Sequence, residues 1–252
     1  MYKVSKLAAG SVIAATAALG GASVALADGY SAPRVAYERP ADWSGVYFGV
    51  SSGYQWSDIP VHFTDFGTKF STHFDDAIVG AHLGVQHQFG VIVVGVEGGW
   101  SSTFRTNKED EVGCPNVNDE CSARLNDIFT LGARLGYAAG RWMPYVTGGY
   151  ANAGWDMDAR SKPGLGGATT LLESAHGRTG GWYIGGGVEW AVSPGWSAGL
   201  DYKHYEFGSA TENDFNPKGV FVEHVRFADP STDAITARVS WRWGRPDVAP
   251  LK

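Results

Sequence analysis

Glu97, Arg134, Glu189, Asp201, Lys203, Arg238 and Arg242 are charged residues set in segments that are otherwise apolar at every second position. Charges of both signs on one face of such segments have two chemical uses. They can line a water-filled ion path, or they can pair with one another and fill an interior, because a buried charge needs a partner. The spacing favours a paired interior. Glu97 and Arg134 fall on neighbouring segments and on the same face, so they are expected to pair.

The remaining chemistry-bearing residues are more scattered. His62, His73, His176 and His224 fall in or beside polar connections, where a neutral imidazole can ligate haem or a metal but is more commonly just solvated. His82 reads as an interior polar group, and His87 and His204 lie near segment ends. Glu173, Ser174 and His176 bring a carboxylate, a hydroxyl and an imidazole close in sequence. Hydrolytic chemistry needs those types, but here they sit in a Gly-rich stretch without a recognisable motif, so no catalytic residue is assigned. The acidic run Glu109-Asp110-Glu111 with Asp119-Glu120 reads as a solvated loop with some capacity for divalent cations. Cys114 and Cys121 form a close pair that suggests a loop disulfide, worth about 2.5 kcal/mol on the chain-entropy estimate. No cofactor or metal site is assigned.

These residues must be positioned by strands. From Val46 to Trp56 the even positions are mostly apolar and the odd ones small or polar, a period of two. The same alternation recurs at about 77–89, 91–100, 125–137, 142–155, 181–191, 196–207 and 235–243, many segments ending in Trp or Tyr. In the fifth segment Val146 and Tyr150 place the even set outward, whereas Tyr145 and Ala151 argue for the odd set. Eight strands follow, joined by connections that alternate long and short. An outward apolar face of about ten residues with aromatic ends is what a strand crossing a membrane in a closed barrel requires. The expected fold is all-β, an eight-stranded antiparallel up-and-down transmembrane barrel. A soluble barrel with an apolar pocket is disfavoured, because the opposite face carries glycine and charge.

Bulk properties agree. The chain has 252 residues, 18% of them charged, and a net charge of -6 without a basic block, so nucleic acid is not an expected partner. Mean hydropathy is -0.16. After residue 30 the longest unbroken apolar run is Val91 to Val94, too short for a membrane helix. Residues 1–27 read as a secretory signal: Lys3 and Lys6, an Ala/Gly-rich apolar stretch, then Ala25-Leu26-Ala27 before Asp28. Residues 28–42 read as a periplasmic linker, 43–243 as the barrel and 244–252 as a tail.

Four stretches carry a resemblance: DWSGVYFGVSSGYQW, RLGYAAGRWMPYVTGGYA, GWYIGGGVEWAVSPGWSAGLDYKHYEFG and ITARVSWRW. Together they resemble the small outer-membrane β-barrel family of alphaproteobacteria, which includes surface antigens and haemin-binding proteins and is similar in fold to the OmpA membrane domain. The resemblance covers essentially the whole chain after residue 27. It implies a Gram-negative outer-membrane location, with lipid, lipopolysaccharide and the assembly machinery as partners. It also implies that Trp243 is the aromatic that marks the last strand for assembly, although family members usually end there and this chain continues for nine residues, to Lys252. The expected role is structural, with long external loops making surface contacts. The alternative is a porin-like or haemin-binding barrel, the loops taking haemin or a host surface ligand.

Overall fold

The structure is a computed structural model that describes residues 41–63, 68–104, 111–112, 119–161, 171–215 and 220–243. The chain divides into Met1–Tyr37, which lies outside the described residues, and Glu38–Lys252, which holds every strand. The signal at 1–27, nearly all of the linker, the 244–252 tail, Glu109, Asp110 and Cys114 therefore fall outside the described residues.

Eight long strands form the wall: β1 (Gly45–Phe63), β2 (Thr68–Phe89), β3 (Ile92–Phe104), β5 (Asp119–Tyr137), β6 (Trp142–Ser161), β7 (Leu171–Ser193), β8 (Trp196–Phe207) and β11 (Ser231–Trp243). Each pairs antiparallel with the next, and β11 pairs back onto β1 from Val46↔Trp243 to Asp58↔Ser231, which closes the barrel. Closure removes the sheet edges that an open sheet would expose to lipid. The short turns at one end place Gly90, Gly140 and Gly195 at positive φ, a backbone region glycine enters without steric cost.

The alternation read from sequence sorts the side chains as barrel strands require. Val50 is 63% and Leu131 64% exposed, whereas Glu97, Arg134 and Arg238 are 5% or less. On β6 the even set faces out, with Val146 and Tyr150 exposed and Met143, Tyr145, Thr147 and Ala151 buried. Tyr145 points inward because its ring packs under the Arg134 guanidinium, 3.6 Å from the ring centroid. Outward aromatics gather at two levels. Phe48, Trp142, Trp190, Trp196 and Trp243 ring the short-turn end; Trp56, Trp100, Phe129, Tyr150, Trp182 and Tyr202 ring the other. At about 3.4 Å per residue and a tilt of about 40°, the outward positions Val46 to Trp56 span about 26 Å, the height of a hydrocarbon band.

The strands outrun the sequence reading at the long-connection end. Residues 57–63 and 68–76, and much of the 156–180 stretch read as loop, continue the β1–β2 and β6–β7 ladders. The last long connection holds β9 (Ala210–Phe215) and β10 (Phe221–Phe227), which pair with each other, while β10 pairs with β1 and β9 meets β7 at Ser174↔Phe215. A two-residue β4 (Glu111–Val112) pairs with β5. Beyond the aromatic ring a ladder no longer faces hydrocarbon, so it needs no outward apolar alternation and leaves none to read. A bulge between Leu125 and Asp127 also breaks the period on β5, which turns Leu125 inward although Asp127 and Phe129, of the same parity, face out.

At the short-turn end the chain before β1 is not strand. Residues 41–44 tuck into the mouth, where Trp43 is fully buried against Val93, Met143, Ala138 and Ala191. Gln86 Nε2 donates to the Trp43 carbonyl at 2.6 Å, the Trp43 N–H donates to Gln88 Oε1 at 2.9 Å, and the Ala41 N–H to the Gly140 carbonyl at 3.1 Å. At the other end Ile78, Leu125, Ile128, Trp155 and Phe207 are buried inside the barrel. The lumen thus has apolar material above and below a polar middle.

Candidate functional site

The polar middle is one ionic network drawn from five strands. Glu97 (β3) accepts from Arg238 Nη2 (β11) at 2.7 Å and from the Tyr47 hydroxyl (β1) at 2.8 Å. Glu189 (β7) accepts from Arg134 Nη2 (β5) at 2.6 Å, lies 3.1 Å from Arg238 Nε, and accepts from Ser197 Oγ at 3.1 Å. Asp201 (β8) accepts from Thr236 Oγ1 and from the Tyr145 hydroxyl, and lies 3.5 Å from Arg238 Nη1 and 3.4 Å from Lys203 Nζ. Three carboxylates thus face Arg134, Lys203 and Arg238, and their charges cancel. Arg238 is the hub, since it contacts all three acids. Side chains fill an eight-stranded barrel, and mutual neutralisation is what lets this many charges sit there.

The expected Glu97–Arg134 ion pair is present, but it is not the shortest contact of either group. Those two groups lie 3.7 Å apart, but each has a nearer partner: Arg238 for Glu97, and Glu189 for Arg134. Across a barrel, residues distant in sequence project to the same point, so the neighbouring strand need not supply the closest charge. Arg242 stands apart from this network; its guanidinium lies 4.7 Å from the Trp43 ring centroid, at the mouth. Trp243, expected to mark the strand end, faces outward there and packs at 4.0 Å against Trp241.

The histidines are dispersed. His82 is buried, 2.8 Å from Ser240 Oγ, and His87 packs on Phe89. His62, His73, His176 and His224, read as loop residues, instead lie on β1, β2, β7 and β10 respectively, within the strand extensions. Glu173, Ser174 and His176 likewise lie on β7, opposite Ala159, Asp158 and Asp156 of β6. Asp119, Glu120 and Cys121 belong to β5, while the partner proposed for Cys121 lies outside the described residues.

Two outward clusters, one above the aromatic ring and one at its level, escaped the sequence reading. On one side Arg178 donates to both oxygens of Asp127, two strands away, at 3.1–3.2 Å, and from Nε to Asn152 Oδ1 at 2.6 Å. The pair crosses over Gly154, where a Cβ would lie 2.6 Å from Asp127 Oδ1 and 2.9 Å from Arg178 Nη1. On the other side Asp233 Oδ1 lies 2.8 Å from His204 Nδ1 and accepts from the Tyr202 hydroxyl at 2.5 Å. Polar residues spaced along outward positions were the available signal, but their cross-strand register was not.

A closed antiparallel eight-stranded barrel with an apolar exterior, two aromatic rings and a charge-filled lumen defines an integral outer-membrane barrel. A model of the outer membrane protein beta-barrel domain matches residues 14–242, and the chain belongs to that family. The 31 kDa outer-membrane immunogenic protein of Brucella melitensis is 27% identical over 189 residues, covering 71% of this chain and 77% of that protein. The 25 kDa outer-membrane immunogenic protein of Brucella ovis is 25% identical over 173 residues, covering 66% and 71%. Among solved structures, OprG from Pseudomonas aeruginosa is similar with a TM-score of 0.47 and 10% identity, covering 79% of this chain and 97% of that one. The Ail protein of Yersinia pestis has a TM-score of 0.38 and 14% identity, covering 79% and 99%. The protein is an outer-membrane β-barrel of the Gram-negative envelope.

Proposed function

We propose that this barrel is a non-conducting scaffold that anchors a strand-built crown at the cell surface, where the crown and its loops make the contacts that matter. The observation that carries this reading is the filled lumen. Trp43, Met143 and Val93 occupy the short-turn mouth, and the Glu97–Arg238–Glu189–Asp201 network fills the level above. Charges that neutralise one another are poorly placed to draw ions through or to act on a substrate, so no catalytic role is assigned to them. The long-connection end is read as external because short turns face the periplasm in such barrels. The names of the Brucella relatives, immunogenic proteins of the outer membrane, suit a surface-displayed crown.

Conductance of the refolded protein in a planar bilayer, run beside a haemin titration, tests the proposal. The scaffold reading expects small or rare conductance steps and no saturable haemin spectrum. Sustained large conductance would favour the porin-like alternative. Saturable haemin binding would instead favour haemin capture, with His176 and His224, exposed on β7 and β10, as the first residues to substitute.

A further inference from the structure

Gly98 has no reason within the protein to be glycine. It stands on β3 at an outward position between Val96 and Trp100, and its φ is not positive. A Cβ added there would meet nothing nearer than 3.8 Å. The inward-facing strand glycines differ. A Cβ on Gly99 would lie 2.6 Å from Thr130 Oγ1, and one on Gly132 would lie 2.3 Å from the Tyr183 hydroxyl. Glycine inside a strand weakens it and packs nothing, so an outward glycine under no steric demand leaves a deliberate vacancy.

That vacancy is the floor of a groove. Gly98 pairs with Leu83 on one side and Leu131 on the other, and these two exposed leucines form its walls. Trp100 and Phe129, paired across β3 and β5, close it at the aromatic ring, Val50 borders it on β1, and Val85 and Val96, paired across β2 and β3, continue it toward the short-turn end. The groove is shallow and open along the face, with a volume of about 940 Å³. It runs from one aromatic ring to the other and is continuous with the face that meets hydrocarbon, so its apolar walls fit an alkyl chain. Gly98 is two residues below Trp100, about 5 Å along the membrane normal at the strand's rise and tilt, which puts the notch in the leaflet nearer the crown.

We infer that the Gly98 notch seats one acyl chain of an outer-leaflet lipopolysaccharide. The leaflet assignment rests on the crown being external; the notch itself does not. Native mass spectrometry of the folded full-length mature barrel, released from detergent with hexa-acylated lipid A or with phosphatidylethanolamine, tests it. The wild type should retain one lipid A in preference to phosphatidylethanolamine. Gly98→Leu, which fills the notch, should weaken retention by about tenfold, equivalent to about 1.4 kcal/mol. Leu131→Ala, which removes a wall, should weaken it too. Ala237→Leu, at an exposed outward position on β11, should leave it unchanged. Equal retention by wild type and Gly98→Leu would overturn the inference, as would equal retention of phosphatidylethanolamine. A barrel dimer abolished by Gly98→Leu would also overturn it, by making a second copy the occupant. Protection of the crown from protease on whole cells would overturn the orientation separately.

Discussion

Arg238 shows what a single residue does inside this barrel. It is buried and touches Glu97, Glu189 and Asp201, so its removal would leave three carboxylates undercharged at once. Glu97 is the simplest probe. Glu97→Ala removes the nearest partner of Arg238, leaves the buried network one positive charge in excess, and should destabilise the barrel by about 3–5 kcal/mol, the usual cost of breaking a buried pair. Reversible urea unfolding in lipid vesicles measures this, and an unchanged midpoint would refute the network's structural role. The distances also rank the pairs. A double-mutant cycle should give a larger coupling for Arg134 with Glu189, 2.6 Å apart, than for Arg134 with Glu97 at 3.7 Å.

At the level of elements, the outward face and the mouth segment make separate predictions. Val50 and Val239 face each other across β1 and β11 near the middle of the apolar band. Arg at either position should cost about 2–4 kcal/mol, against little for Arg in a loop, because a charge there meets hydrocarbon. Near-zero losses in the same vesicle assay would reverse the assignment of the lipid face. Residues 41–44 predict differently: Trp43 is fully buried and held by Gln86 and Gln88, so Trp43→Ala should cost about 3–5 kcal/mol. It should also open the mouth toward Arg242, raising the frequency of small conductance steps. A variant as tight and as stable as wild type would mean that the segment only leans on the mouth.

For the whole molecule, orientation is the open variable that function depends on. With the crown outside, protease added to intact cells should cut within Asp156–Gly180 or Gly208–Asp233, the stretches that hold the last two long connections. Cleavage confined to the turns at Gly90 or Gly195 would mean that the barrel is inverted.

Period-two alternation and the spacing of aromatic ends were sufficient, from sequence alone, for the strand count, the closed-barrel class and the inward set that contains Glu97, Arg134, Glu189, Asp201 and Arg238. Those signals are local, because each strand must present hydrocarbon-compatible side chains along its own length whatever its neighbours do. Three features only the tertiary structure decided. The partner of Glu97 is Arg238, 141 residues away, because closure brings β3 and β11 across one lumen, and such a distance leaves no trace in spacing. The extensions at 57–63, 68–76, 156–161 and 171–180 continue the β1–β2 and β6–β7 ladders through backbone pairing, which leaves no side-chain period to read. Trp43 reads as the start of the first strand, yet the strand begins at Gly45 and Trp43 instead packs into the mouth against Val93 and Met143, a contact that joins residues far apart in sequence.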